Sequence, residues 1–506
     1  MQNPQTTYRL QLHKDFPFEA AEGLVSYFAD LGVTHVYLSP VLQARPGSLH
    51  GYDVVDPAKI SCELGGREGF ERLSGALRGK GIHLILDIVP NHMAVDSHNR
   101  MLMNIFEHGE LSPFISFFDI QWKFFYETLE GKLLVPVLGS FYAEALAAGE
   151  ITLCFDQEGL SIRYYDFKFP LLLESYSKVF EFRIKELEDS VGKDSELFIH
   201  YLGALHFFKT ISDCDYYTAR LEQMKHAKRM LWELYSQNEG IKDFVDETVT
   251  IFNGEKDRPD SFDMLDELIA EQVFRLSFWK MATEEINYRR FFTVNDLISV
   301  CVEDPGVFEK THARIFDLYD NGFIHGLRID HVDGLYDPRG YLEAIRTKCA
   351  DSYVIVEKIL EYGENLPEDW PVQGTTGYDF LSYCNGLFCD RRNEQKLSKI
   401  YFSFTRLDKN YDDLVYEKKR LIIGKHMAGN IDILARDIKD ISSYDRYGRD
   451  ITLYGLRRAL VDIMAAFPVY RTYVHSKDYA ETDKTYIQEA IDKAKERNPG
   501  LYYEIT

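Results

Sequence analysis

Two acidic residues stand where parallel strands would end. Asp330 closes the run Gly326-Leu-Arg-Ile-Asp-His331, with Arg328 two residues before it. Side chains two apart on a strand share a face, so Arg328 and Asp330 point the same way. A guanidinium beside a carboxylate keeps it ionised, as a nucleophile requires. Glu357 closes the next apolar run, Val354-Ile-Val-Glu357, 27 residues further on. That interval is close to one βαβ unit of about thirty residues. Two such acids at the ends of adjacent parallel strands would face one another over a barrel mouth. A retaining glycosidase needs such a pair, with its carboxyls about 5–5.5 Å apart. The apolar stretch before Glu357 would raise its pKa, so that it starts protonated as general acid. The same spacing also fits a plain salt bridge, and most of the 81 acidic residues must be solvated surface.

The elements needed to place these acids are legible along the chain. Tyr8 to Leu12 reads as a strand. Apolar residues from Phe18 to Leu31 recur at helical spacing, and Gly32 stops them. His35 to Leu38 is a second strand. Phe70, Leu73 and Leu77 mark a helix closed by Gly79 and Gly81, and Ile82 to Val89 is a near-continuous apolar strand of the kind buried on both faces. This alternation is the grammar of an α/β fold. It stops at Asn91 and resumes near Val302, with a helix from Phe308 to Tyr319, a strand from Ile324 to Ile329, a helix opening at Asp337-Pro338 and a strand from Ser352 to Val356. Between the two halves, residues 115–175 are aromatic-rich and mixed. Residues 176–300 read mostly as long helices, such as Tyr217 to Tyr235 and Phe262 to Tyr288. The organisation expected is therefore residues 1–92 as the first part of a barrel, 93–300 as a mostly helical insertion with a small mixed subdomain, 301–380 as the second part, and 381–506 as a helical region.

Composition narrows the function. The 506 residues carry a formal charge of −23, a field that repels phosphate backbones and anionic lipid. Neither nucleic acid nor a membrane surface is an expected partner. No secretory signal core and no apolar run of the ~18 residues needed for a membrane span is present. The seven scattered cysteines read as reduced thiols, so a cytoplasmic location is expected. No metal-ligand cluster or phosphate-cradling loop stands out. No metal or organic cofactor is expected. Aromatic residues make up 14%; most must be core, though such faces also stack on sugar rings.

Further segments sharpen this reading. Leu38-Ser-Pro40, His50-Gly-Tyr-Asp53 and Asp87-Ile-Val-Pro-Asn-His92, followed by the two carboxylate segments, resemble the ordered signature regions of the α-amylase superfamily of (β/α)₈ glycoside hydrolases and transglycosylases. The resemblance implies that Asp330 is the nucleophile and Glu357 the general acid/base, with Arg328 orienting Asp330. It further implies that Tyr52 stacks under the sugar, that His92 bonds its hydroxyls, and that Asp87 and Asn91 brace the loop carrying His92. Longer phrases are similar to the maltooligosyltrehalose synthase family: TYRLQL (7–12), YLSPVLQARPGSLHGYDVVDP (37–57), EEINYRRFFTVNDL (284–297), GLRIDHVDGL (326–335), VEKIL (356–360), WPVQGTTGYDF (370–380) and FPVYRTY (467–473). His331 and Asp333 follow that family and join the expected substrate-binding residues. The implied reaction is an isomerisation, by retaining double displacement, of the reducing-end α-1,4 bond of a maltodextrin or glycogen-derived oligosaccharide to an α,α-1,1 bond. An α-1,4-glucan hydrolase and an inactive glucan-binding fragment are the alternatives.

One departure from the family matters. Its third carboxylate, expected in a Lys-Gly-x-Glu-Asp-Thr type segment downstream of FPVYRTY, has no counterpart before Thr506. Only five or six barrel strands are legible. The expected fold is thus an α-amylase-type (β/α)₈ barrel incomplete at its C-terminal end, for which a complementary C-terminal polypeptide is a candidate partner.

Overall fold

The structure is a computed structural model describing residues 3–210, 217–407, 409–474 and 479–501. Six strands form its central sheet: β1 (Thr7–Leu10), β2 (His35–Leu38), β3 (His83–Ile88), β4 (Gly326–Ile329), β5 (Tyr353–Val356) and β6 (Gly374–Thr375). They pair in chain order and every pairing is parallel. β1 and β6 are its two edges, so the sheet is an open part of a parallel α/β barrel. A closed barrel of this kind has eight strands.

The core lies between the sheet and its connecting helices. Helix Gly66–Gly79 turns Phe70, Leu73 and Leu77 inward, all three fully buried. Each such side chain contributes about 1.5–3 kcal/mol by leaving water. Phe70 meets Phe18 edge-on at 5.5 Å. Helix Pro305–Asp320 is capped by Asp304, which accepts from the amides of Gly306 and Val307, and helix Pro338–Lys348 by Asp337, which accepts from the Gly340 amide. Both caps bring proline to the first turn, where its missing N–H costs nothing.

The segment between β3 and β4 is more mixed than its helical spacing predicts. Its strands Ile151–Asp156, Gly159–Tyr164 and Phe167–Pro170 form an antiparallel sheet. The stretch expected as one helix from Phe262 to Tyr288 breaks: helix Asp263–Ala270 is followed by strand Phe274–Phe278, parallel to Leu133–Leu138. Phe274, Leu276 and Phe278 alternate with Arg275 and Ser277, and that period of two prevails over helical propensity once a partner strand is available. The first helical run also divides, into Phe18–Glu22 and Val25–Asp30 around Gly23.

After β6 the described chain is helical. Helices Tyr378–Leu387 and Glu394–Thr405 bury no residue, and Leu387, Phe388 and Phe404 are each more than four-fifths exposed. Among the described residues no helix is long and apolar enough to cross a membrane. Six cysteines are free thiols; Cys214 lies outside the described residues.

Candidate active site

Strand register builds the site. Arg328 is in register with Asp87 on one side and Ile355 on the other. Residues in register on parallel strands share a face, so Asp87 and Arg328 form one row; Asp330 and Glu357, two residues further along their chains, form the next. The ladder continues past the strand ends: the Asp330 amide donates to the Ile88 carbonyl at 2.9 Å and the Glu357 amide to the Ile329 carbonyl at 2.8 Å.

Arg328 joins the two rows. Its Nη1 donates to Asp87 Oδ1 at 3.0 Å and to Asp330 Oδ1 at 2.5 Å, and its Nη2 lies 3.0 Å from Glu357 Oε1. One guanidinium therefore serves three carboxylates. Its own burial disfavours the charge, but these acids outweigh that and hold it protonated. Burial raises Asp330, to about 7, against the pull of Arg328, while the Asp87 and Glu357 carboxylates push it further up. Burial also works to raise Glu357, but Arg328 and the His331 amide prevail and lower it. In the unliganded chain Asp330 is therefore the carboxyl of the pair that takes up a proton more readily. This is the reverse of the protonated Glu357 expected from its apolar approach. The cause is that Arg328 and a backbone N–H meet the Glu357 carboxylate, which apolar neighbours alone would have kept neutral.

Asp87 is the hub of the first row. Tyr37 donates to its Oδ2 at 2.5 Å and Tyr52 to the same oxygen at 2.7 Å. Asp87 therefore fixes Tyr52 and Arg328, rather than the loop that carries His92. The Tyr52 loop needs Gly51, at φ 80° and so close to Pro40 that a Cβ would lie 2.6 Å from its carbonyl oxygen. Arg9 reaches Tyr52 Oη at 3.3 Å and Gln11 Oε1 at 2.8 Å from the open edge of β1.

The His residues form a second wall. His92 is buried, and desolvation lowers it to about 3, so it is neutral. The Asn91 amide nitrogen lies 3.3 Å from its Nδ1. Phe291 packs on both His92, at 4.6 Å, and His331, at 4.8 Å. His331 has φ 45°, an uncommon conformation for a side-chain-bearing residue, and its amide donates to Glu357 Oε2 at 2.9 Å. Gly334 permits this turn, since a Cβ there would run into the His331 ring.

Asp333, expected at the substrate, is engaged elsewhere. Tyr473 donates to its Oδ1, and its Oδ2 lies 3.2 Å from Nζ of Lys358. Sequence reasoning passed over Lys358, Tyr37 and Tyr378, whose hydroxyl lies 3.4 Å from Glu357 Oε1. A lysine directly after a buried apolar run was the one readable signal, because a buried charge demands partners. Among the described residues no group of three or more His, Cys, Asp or Glu side chains could hold a metal ion.

The arrangement brings two carboxylates, Asp330 and Glu357, onto a common cation at the C-terminal ends of adjacent parallel strands. Comparison with known proteins points the same way. Residues 23–108 match the alpha-amylase catalytic domain. A putative maltooligosyl trehalose synthase of Mycobacterium tuberculosis is 31% identical over 405 residues, covering 78% of this chain and 40% of that protein. The solved maltooligosyltrehalose synthase of Arthrobacter ramosus superposes with a TM-score of 0.72 at 29% identity, over 99% of this chain and 52% of its own. A hypothetical maltooligosyl trehalose synthase of Sulfolobus tokodaii gives 0.66 at 31% identity, over 100% and 54%. The chain spans about half the length of these solved relatives, and less of the curated one.

Proposed function

We propose that this relative of the maltooligosyltrehalose synthases, built on the α-amylase catalytic fold, carries the reacting carboxylate pair of a trehalose-end-forming glucan isomerase. The observation that carries the reading is Arg328 bridging Asp87, Asp330 and Glu357 at the ends of three neighbouring strands. Asp330 attacks the anomeric carbon while Glu357 protonates the leaving glycosidic oxygen. When glucan binds, the proton held between the two acids moves to Glu357, leaving Asp330 ionised against Arg328. The released glucose stays, turns and presents its anomeric hydroxyl. Glu357, now a base, takes the proton from that hydroxyl, and the oxygen displaces Asp330. Two inversions retain the α configuration. Tyr52 offers its ring to the sugar, while His92 and His331 offer ring nitrogens to its hydroxyls.

The open sheet bears on the partner. An unclosed parallel barrel leaves strand edges and interior side chains uncovered. Here the edges are β1 and β6, and helices Tyr378–Leu387 and Glu394–Thr405 present apolar side chains to solvent just beyond β6. We assign that surface to a polypeptide that completes the barrel, in cis or in trans, and supplies a third carboxylate. The reacting pair takes a maltooligosaccharide, and the reaction takes place in the cytoplasm.

The test is product analysis with maltopentaose, using the chain with the proposed barrel-completing polypeptide. A non-reducing product of unchanged length supports the isomerase. Glucose plus maltotetraose would mean a hydrolase, and binding without conversion a glucan-binding chain.

A further inference from the structure

We propose that Lys358 is a positioning residue, which locks the strand end behind Asp330, the loop behind Glu357 and the segment 470–473 into one unit. The inference rests on the reading of Asp330 and Glu357 as the reacting pair.

Lys358 directly follows Glu357, and its side chain is fully buried. Its Nζ lies 3.2 Å from Asp333 Oδ2 and 3.1 Å from Glu364 Oε1. Asp333 belongs to the turn Val332–Gly334 that follows Asp330 and His331. Glu364 closes the loop leaving β5, where its Oε2 accepts from the Glu361 amide at 2.9 Å. One ammonium therefore connects the two chain segments that leave the reacting carboxylates.

A third segment joins the same group. The rings of Tyr470 and Tyr473 lie 5.8 and 5.9 Å from the Lys358 nitrogen, within cation–π range. Tyr473 also donates to Asp333, and Arg471 Nη1 donates to the carbonyls of Asp333 at 2.8 Å and Leu335 at 2.7 Å. These contacts hold residues 470–473 against the turn that begins at His331, whose amide holds Glu357. A buried ion pair is a costly way to gain stability, and apolar packing often serves as well. What it does supply here is direction: each partner is fixed by a hydrogen bond from a different segment. Such a lock keeps the released glucose in place between the two displacements and keeps water from replacing it.

Lys358→Gln and Asp333→Asn separate this from ordinary stabilisation, and the second keeps the test valid where the first fails to fold. In both, amide hydrogen exchange in 330–336 and 467–474 should quicken tenfold or more, with β1–β3 unchanged. With the proposed barrel-completing polypeptide present, the ratio of released glucose to isomerised product should rise several-fold. Quickening confined to 357–364, or uniform across the chain, would overturn the proposal. So would an unchanged product ratio. Absence of any turnover by the unsubstituted protein would fell the functional reading instead and leave exchange to decide the lock.

Discussion

The backbone N–H of His331 donates to Glu357 Oε2 at 2.9 Å, so the peptide adjoining Asp330 holds the second carboxylate. The two acids are thereby coupled through the chain as well as through Arg328. The left-handed backbone at His331 is what aims that amide. Strain at such a position persists only where its surroundings enforce it.

Asp330→Asn should abolish turnover while leaving maltodextrin binding within a few-fold of normal. Losing a nucleophile costs several kcal/mol in barrier, each ~1.4 kcal/mol being tenfold. Steady-state rates with binding calorimetry check this, and a near-normal rate would remove Asp330 from the mechanism.

The pH dependence follows from the raised Asp330. In the free protein its carboxyl is protonated below about 7, and that proton is the one the pair hands to Glu357, so kcat/KM should fall as pH rises through that value. The linked stability has the same sense. A group with a raised folded pKa binds more protons folded than unfolded, so its contribution is full below pH ~4, the unfolded value, and is lost as pH rises through about 7. Asp330→Asn removes that loss. Its melting temperature relative to the unsubstituted chain should therefore climb between pH 4 and pH 8; a flat difference would contradict the assignment.

Gly334→Ala pushes a methyl group into the His331 ring. Overpacking of this kind costs about 1–3 kcal/mol. Thermal melting should show it, together with a reduced kcat, because moving the His331 ring shifts the residue whose backbone N–H holds Glu357. Unchanged melting and kcat would show that the turn relaxes freely.

Residues 1–506 on their own should show little or no isomerisation and should self-associate through the uncovered surface beyond β6. Loss of a single transition-state contact costs ~10²–10³ in rate, and an open barrel adds access for water. Light scattering and maltopentaose assays, with and without the proposed barrel-completing polypeptide, check this; full activity of 1–506 alone would contradict it.

Much of this was legible in the residues, for identifiable reasons. β2 runs from His35 to Leu38 as its apolar run predicts, because a strand buried on both faces leaves a continuous signature. Arg328 beside Asp330 followed from spacing alone. The contacts of Arg328 with Asp87 and Glu357 did not, since they depend on register between strands far apart in sequence. The direction of the Glu357 shift was misread for the same reason: the apolar run was visible and the His331 amide was not. Asp333 was placed at the substrate by the family resemblance; its contacts with Lys358 and Tyr473 were not legible, because those partners are set by folding and not by spacing.

The central claim is that Asp330 forms the covalent bond and Glu357 handles the proton. Glu357→Gln, with the proposed barrel-completing polypeptide present, tests it most directly with α-glucosyl fluoride, whose leaving group needs no protonation. The first displacement should proceed, and the second should stall without its base. Peptide mass spectrometry should then find one glucosyl residue esterified to the peptide containing Asp330. An ester on another carboxylate, or normal turnover of maltodextrin by Glu357→Gln, would contradict the account.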